Sequence, residues 1–169
     1  MLCVAAVTGG KGHDVLLAAL ARLGDLDWSC TCVGALDVEP AFAARLQRAA
    51  GDRIRFTGPL AGEALEDAFA SADLLVSASR HEAYGMGVTE ALARGVPAIV
   101  TDVGGHPEAV GHVAGMLVPA DDPDTLAKEL RRWLTDPDVR ESLRTAAAQR
   151  RATLPSWTDT ARALEGALR

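Results

Sequence analysis

The sequence has few of the features that mark membrane proteins, disulfide-rich proteins and nucleic-acid binders. No apolar run reaches the roughly 20 residues that a membrane-spanning helix needs, and no basic and apolar leader opens the chain. Aromatic residues make up only 4% of the 169 residues. Acidic residues outnumber lysine and arginine by 23 to 17, whereas a nucleic-acid surface would be basic. We therefore expect a soluble globular domain that does not bind nucleic acid.

Cysteine is scarce, and no CxxC pair occurs. The three cysteines are Cys3, Cys30 and Cys32. If residues 28–34 form a strand, Cys30 and Cys32 point to one face, where two residues of the same strand pair poorly. We expect three buried thiols and a cytoplasmic protein. The histidines lack partners at ligand spacing, so no metal site is predicted. They lie in or just before glycine-rich stretches and are His13, His81, His106 and His112.

Strand-like and helix-like segments alternate along the chain. Residues 2–7 form a continuous apolar run, as in a strand buried on both faces, and residues 14–23 carry leucines at helical spacing. Asp14 is predicted to cap this helix and Gly24 to end it. Further strands are predicted at 28–34, 53–57, 73–78, 97–101 and 115–118. Further helices are predicted at 40–50, 62–70, 85–94, 123–134, 137–151 and 158–168. This order predicts an α/β fold, a Rossmann-like parallel sheet of about six strands with helices on both faces, as one domain over 1–169.

Parallel sheets of this kind bind ligands beyond the carboxyl ends of their strands, and the first loop at that edge is rich in glycine. It contains Gly9, Gly10, Lys11 and Gly12. Glycines allow backbone amides to approach a ligand, and the start of the following helix favours an anion. The spacing is neither that of a P-loop nor GxGxxG. A phosphate site and a plain glycine turn with a solvated lysine explain this loop equally well.

The second loop offers two carboxylates near one helix start. Glu82 follows a buried strand, and Glu90 lies about a turn and a half inside the next helix. Gly85 and Gly87 leave the helix start bare, so a diphosphate can reach its amides. A carboxylate at Glu90 can accept from two ribose hydroxyls. The alternatives are two surface acids, or the paired acids of a glycoside hydrolase, which nothing else in the sequence supports.

A third glycine-rich loop, residues 101–108, follows the next strand and is predicted at the same edge. Together these segments resemble the retaining GT-B glycosyltransferases of family 4. Residues 11–20 resemble that family's KGxxxLLxAL pattern, and residues 82–91 match E-x-[FY]-G-x-x-x-x-E-A, its EX7E motif. Residues 95–100 match the GxPVV-like strand that follows. Residues 101–108 and 115–119 resemble the loop after that strand and the family's GxLVP segment.

The resemblance implies a role for each matching residue. Glu82 is expected to contact the transferred sugar, and Lys11 to hold the diphosphate and stabilise the leaving charge. Glu90 is expected to bind the donor ribose. The further donor-binding residues that it implies are Gly10, Gly12, Gly34, Arg55, Phe56, Gly85, Met86, Gly87 and Thr89. The donor would be a UDP-, GDP- or ADP-type sugar, transferred with retention of configuration and without a metal or other cofactor.

The chain also departs from the family pattern. Ala6 stands where the family carries an arginine that meets the phosphates, and Gly10 stands where many relatives have a basic residue. Fewer positive groups predict weaker diphosphate binding, unless another chain supplies one. The match covers only the C-terminal, donor-binding half of GT-B, so a longer protein or a partner chain is expected to supply the acceptor domain. Without it we expect no activity, and Leu164 and Leu168 to lack part of their cover.

Other functions fit the same sequence. The chain is alternatively a non-catalytic nucleotide-sugar-binding module, or a subunit of a two-chain transferase. A different GT-B enzyme, such as an epimerase or a phosphorylase, is a third interpretation, although no pyridoxal-binding lysine environment is recognisable. Contact with a membrane surface is allowed through the parent protein. The base, the sugar and the acceptor are not indicated.

Overall fold

Six strands and seven helices follow one another in the computed structural model, which describes residues 1–111, 114–154, 162 and 165. The strands are β1 (Leu2–Val4), β2 (Cys30–Val33), β3 (Ile54–Gly58), β4 (Leu75–Ser77), β5 (Ala98–Thr101) and β6 (Gly115–Val118). The helices are α1 (His13–Ala21), α2 (Pro40–Ala49), α3 (Glu63–Ala70), α4 (Met86–Ala93), α5 (His106–Val110), α6 (Pro123–Thr135) and α7 (Pro137–Thr153). A short 3₁₀ turn, Gly9–Lys11, precedes α1.

The strands form one parallel sheet in the order β3-β2-β1-β4-β5-β6. This order confirms the predicted Rossmann-like α/β fold. The chain starts in the middle of the sheet, builds outward to β3, and returns to place β4 on the other side of β1. The order therefore reverses between β1 and β4, and sheets of this kind form their ligand crevice at such a reversal.

Both faces of the sheet are buried, because successive strand residues enter different apolar clusters. Cys3 and Val76 pack with α1 and α6 on one face. Their neighbours Leu2 and Leu75 pack with α4 and α5 on the other face. This explains why the strands are apolar throughout instead of alternating. Helices cover both faces, as predicted.

Several local predictions are wrong. Asp14 does not cap α1: the N-cap is Gly12, and Asp14 lies in the first helical turn. Gly24 does not end α1 either, since the helix stops at Ala21 and Gly24 is not left-handed. The first strand is shorter than residues 2–7, because only Leu2–Val4 is regular strand. The chain bends at Ala5 but stays beside β2, with the N–H of Ala5 donating to the carbonyl oxygen of Val33 at 2.9 Å.

Gly95 does end α4 as predicted. It is left-handed at φ 77°, and its N–H donates to the carbonyl oxygen of Leu92 at 2.9 Å. The predicted helix at 158–168, with its leucines Leu164 and Leu168, lies outside the residues that the structure describes, apart from positions 162 and 165.

All three cysteines are free and buried, as predicted. Cys3 of β1 and Cys32 of β2 are register partners, so their thiols share the apolar interior. Over residues 1–111 and 114–154, no helix has the length and apolar character needed to cross a membrane. In the same part of the chain, no group of three or more His, Cys, Asp and Glu side chains is placed to hold a metal ion.

Candidate functional site

The strand reversal brings two of the predicted site residues together. Lys11 lies in the loop after β1 and Glu82 in the loop after β4, and these strands are neighbours. The Lys11 Nζ atom donates to Glu82 Oε2 at 2.7 Å. Side-chain exposure is 30% for Lys11 and 17% for Glu82, so the pair is partly shielded while still reachable from the crevice.

Glu82 is held in its ionised form by its surroundings. Burial opposes ionisation, but the hydrogen bond and charge of Lys11 outweigh it and hold the pKa of Glu82 below its ordinary value. The Gly85 N–H also donates to Glu82 Oε1 at 3.3 Å. Glu82 is therefore a carboxylate at neutral pH, with hydrogen-bond acceptors and no proton to donate.

The start of α4 lies at the carboxyl edge of the sheet, beside Glu82. Gly85 is its N-cap, and Gly87 lies so close to β1 that an added Cβ would be 3.1 Å from the carbonyl oxygen of Val4. The first N–H groups of a helix have no acceptor within it, so those of Met86 and Gly87 are available to an anion. The Met86 side chain is 63% exposed and leaves the crevice open.

The start of α1 is already occupied by the chain itself. We expected this helix start to face a ligand anion, but the Asp14 carboxylate lies there. The pKa of Asp14 is lowered most by a bidentate hydrogen bond from Arg80. Hydrogen bonds from the backbone N–H groups of Asp14 and Val15 lower it further. In the glycine turn, the Gly9 N–H donates to the Glu39 carboxylate at 3.0 Å. The phosphate role predicted for Gly10 and Gly12 stays a prediction.

Gly12 is required by the packing of the chain itself. It is left-handed at φ 65°, and an added Cβ would lie 1.9 Å from the carbonyl oxygen of Ala78. Gly34 has a similar role after β2, where a Cβ would lie 1.9 Å from the carbonyl oxygen of Ala5. The space that a side chain would need at Gly34 is thus filled by the backbone of Ala5. The position of Gly34 beside a nucleotide stays a prediction.

The third glycine loop supports the second loop directly. Gly104 approaches Glu82 so closely that an added Cβ would lie 1.6 Å from the Glu82 carbonyl oxygen. The Gly105 N–H donates to this same oxygen at 3.1 Å. The second and third loops are neighbours, as predicted. The third loop holds the backbone of Glu82 in place.

His106 is a site residue that the sequence analysis did not identify. It is 1% exposed, and its Nδ1 lies 2.9 Å from the Thr101 carbonyl oxygen. A carbonyl only accepts, so Nδ1 carries the proton and Nε2, 3.9 Å from Glu82 Oε2, is bare in the neutral ring. Burial lowers the pKa of His106, although the Thr101 carbonyl and Glu82 oppose this. No sequence signal shows that α5 brings this ring under Glu82.

Glu90 lies in α4 and is half-buried. Among the described residues its carboxylate has neither a hydrogen bond nor an ion pair; only its backbone carbonyl is used, by Arg94 at 2.8 Å. Thr89, next to it, is also half-buried. An unpartnered carboxylate in this position is ready to accept hydrogen bonds from a ligand.

The residues predicted beside the base lie on the edge strand β3. The Arg55 side chain is exposed. Phe56 instead packs inward, with its ring centroid 6.4 Å from that of His13. Phe56 is therefore half-buried against the core, and the contact of Arg55 and Phe56 with a base stays a prediction.

A larger concavity lies elsewhere. It has a volume of about 620 Å³ and is lined at the amino ends of β4 and β5 by Asp73, Arg94 and Pro97, among others. Two of its acids are already paired, Glu66 with Arg94 at 2.5 Å and Asp73 with Arg144 at 3.3 Å. The recess between Glu82, His106 and the start of α4 holds only about 20 Å³. Ligands of such sheets bind at the carboxyl edge, so we place the site there, in an open crevice.

Known proteins resemble this chain in both sequence and fold. The sequence pattern of the family described as "Glycosyl transferases group 1" matches residues 1–150. A D-inositol 3-phosphate glycosyltransferase of Jonesia denitrificans is 37% identical over 162 residues, which cover 89% of this chain and 38% of the relative.

Two solved structures have the same fold. Sucrose-phosphate synthase from Thermosynechococcus elongatus is 27% identical with a TM-score of 0.86, over 99% of this chain and 44% of that one. HepE from Anabaena, in complex with UDP and glucose, is 21% identical with a TM-score of 0.88, over 99% of this chain and 47% of that one. The chain thus spans less than half the length of these proteins. Because the family pattern covers residues 1–150 of the 169, this chain belongs to the glycosyl transferases group 1 family.

Proposed function

We propose that this chain binds a nucleoside-diphosphate sugar and forms the donor-binding half of a glycosyltransferase. The observation that carries the proposal is the Lys11–Glu82 pair, 2.7 Å apart, at the open start of α4. A cation, free helix amides and a half-buried, unpartnered Glu90 carboxylate are what a diphosphate and a ribose require. The relatives named as glycosyltransferases support the same function.

Each group has a part in the proposed complex. The Met86 and Gly87 amides and Lys11 hold the diphosphate, Glu90 accepts from the ribose hydroxyls, and Glu82 accepts from the transferred sugar. The diphosphate competes with Glu82 for Lys11, because the two side chains now neutralise one another.

The proposed reaction belongs to the retaining, metal-independent family 4 type. The bond from the anomeric carbon of the sugar to the diphosphate oxygen breaks, and a bond from this carbon to an acceptor oxygen forms. The proton of the acceptor hydroxyl passes to the departing diphosphate. Negative charge grows on the departing diphosphate, where Lys11 and the start of α4 stabilise it. A chelating agent is expected to leave the rate of the whole protein unchanged.

The acceptor site is proposed to lie outside this chain. The chain corresponds to 38% of the Jonesia relative. We propose that further protein closes the crevice at the carboxyl edge of the sheet, and that these 169 residues alone bind the donor without completing a transfer. The named relatives make D-inositol 3-phosphate the first acceptor to test with the longer protein.

Calorimetric titration with UDP, GDP, ADP and their glucose conjugates tests the proposal. UDP comes first, because the HepE structure contains UDP. Saturable binding of one base class is expected, and it would also identify the donor class. A folded chain that binds none of the six compounds would refute donor binding by this chain.

Glu90→Gln is expected to weaken UDP binding by about 1–3 kcal/mol, because a charge-assisted hydrogen bond to the ribose is lost. Glu63→Gln is the matched control, since it removes the same charge from an exposed acid of α3. Titration of both variants with UDP measures the difference. An unchanged affinity in Glu90→Gln would exclude the ribose role.

Lys11→Met is expected to lower the affinity for UDP by roughly tenfold, about 1.4 kcal/mol, and to leave the affinity for uridine unchanged. The reason is that Lys11 contacts only the diphosphate. The chain has one other lysine, Lys128, which is exposed on α6, so Lys128→Met is the control. Equal losses for UDP and uridine, measured by ligand-detected NMR, would contradict the phosphate role.

A further inference from the structure

Arg80 joins three segments that surround the candidate site. Its guanidinium binds Asp14 in a bidentate pair, with Nη1–Oδ1 at 2.9 Å and Nη2–Oδ2 at 3.0 Å. Nη1 also donates to the Gly9 carbonyl oxygen, and Nε donates to Asp121 Oδ1 at 2.7 Å. The Arg80 backbone N–H donates to the Gly10 carbonyl oxygen at 2.9 Å. One residue thus fastens the glycine turn, the first turn of α1 and the loop before α6 to the loop after β4.

The third partner, Asp121, is itself held in an unusual conformation. It is the one non-glycine residue with positive φ in the described part of the chain, at φ 57°. This region is disfavoured for residues with a Cβ, although aspartate tolerates it better than most. The next residue, Asp122, caps α6 by accepting from the Thr125 N–H at 2.9 Å. Asp121 is therefore fixed between β6 and that cap, with its carboxylate at Arg80.

The charge of Arg80 is fully used within the chain. One guanidinium faces two carboxylates, and the hydrogen bonds to Asp14 and then to Asp121 raise its pKa. Arg80 is therefore not a free cation for a phosphate, and it does not replace the arginine missing at Ala6. Its position suggests another task, because Gly9 and Gly10 immediately precede Lys11 in the chain.

We propose that Arg80 is a positioning residue that holds the turn carrying Lys11 at the distance from Glu82 at which the two side chains pair. Arg80 is bound to the turn just before Lys11, and it lies two residues before Glu82 in its own loop. One residue therefore joins the turn that carries Lys11 to the loop that carries Glu82. A lysine has a single ammonium on a flexible stem and cannot bind Asp14, Asp121 and a carbonyl in this geometry. The consequence for ligand binding rests on the proposed function, whereas the geometry of the pair does not.

The first test needs no ligand. The Glu82 carboxyl is titrated by ¹³C NMR in the wild-type chain, in Lys11→Met and in Arg80→Lys. We expect the pKa of Glu82 to rise in Arg80→Lys toward the value found in Lys11→Met, because the pair loosens. Arg22→Lys is the control: Arg22 also joins α1 to the α6 region, through Asp124 at 2.6 Å, but far from the turn. A wild-type pKa of Glu82 in Arg80→Lys would overturn the proposal.

The second test is a double-mutant cycle on UDP affinity. Arg80→Lys is expected to weaken UDP binding about tenfold on its own, because a displaced group loses its contacts, and to add nothing in the Lys11→Met background. Additive losses would mean that Arg80 acts on the ligand without Lys11 and would refute the positioning role. A wild-type chain that binds none of the six compounds titrated above would refute the proposed function, and the carboxyl titration would still decide the role of Arg80.

A milder variant tests the same proposal if Arg80→Lys does not fold. Asp121→Asn keeps a residue that tolerates the left-handed conformation and removes only the charge facing Arg80. We expect it to shift the pKa of Glu82 in the same direction and by less. Thermal unfolding of each variant shows that the measurements are made on folded protein. No shift of the pKa of Glu82 in either variant would also overturn the proposal.

Discussion

Gly104→Ala is expected to lower the free energy of unfolding by more than about 3 kcal/mol. An added Cβ would lie 1.6 Å from the carbonyl oxygen of Glu82 and 2.7 Å from its carbonyl carbon. Both are backbone atoms, so no side-chain rotation relieves the clash, and the loops after β4 and β5 must separate. Chemical denaturation of the variant and the wild type measures the effect.

Gly95→Ala separates this clash from the cost of the backbone conformation alone. Gly95 is left-handed at φ 77°, as Gly104 is at φ 50°, but no atom lies within 4 Å of a Cβ at Gly95. We expect a loss of only about 1 kcal/mol for Gly95→Ala. Equal losses in the two variants would show that Gly104 is not in close contact with Glu82.

A fall in stability between pH 6.5 and pH 4 is the second large effect that we expect. Burial lowers the pKa of His13 from 6.5 to about 4, with Asp14 opposing and Lys11 assisting. His13 Nδ1 is buried without a hydrogen-bond partner among the described residues, so a proton there would have no acceptor. The unfolded chain takes up this proton below pH 6.5 while the folded chain stays neutral. The stability is therefore fully present above pH 6.5 and is lost as the pH falls toward 4.

The size of this effect follows from the two pKa values. Each pKa unit between the folded and unfolded states corresponds to about 1.4 kcal/mol, so the change from 6.5 to about 4 corresponds to about 3 kcal/mol. Denaturation at several pH values measures it. His13→Leu is expected to make the profile shallower, with part of the remaining slope due to His106, whose pKa burial also lowers. His81→Leu, which changes an exposed histidine, is expected to leave the profile as in the wild type. The same slope in His13→Leu would assign the effect to other groups.

The fold was predictable because its determinants are local and repeated. Apolar strand segments and amphipathic helices alternate, and a right-handed crossover then leaves few topologies. The errors concern element ends. Asp14 has the side chain of a helix cap, but a tertiary contact with Arg80 recruits it, and Gly12 caps instead because it packs against Ala78.

The candidate site was predictable only where its residues follow strands. Lys11 and Glu82 lie in the segments that follow β1 and β4, so their meeting follows from the strand order. The contacts of Arg80 and His106 depend on how loops fold over one another. Arg80 contacts Asp14, which is 66 residues away in the sequence, and His106 lies beside Glu82, which is 24 residues away. A pattern along the sequence does not predict such contacts.

The buried thiols can be used to detect local unfolding of the chain. Cys30 and Cys32 are shielded from solvent. The hydrogen bond with Cys32 and burial raise the pKa of Cys30, and the hydrogen bond with Cys3 and burial raise the pKa of Cys32 against the opposing effect of Cys30, so little reactive thiolate forms in the native state. An alkylating reagent therefore has to wait until the helices that cover this face of the sheet move away from it. Its rate of incorporation then reports how readily the middle of the sheet is uncovered under native conditions.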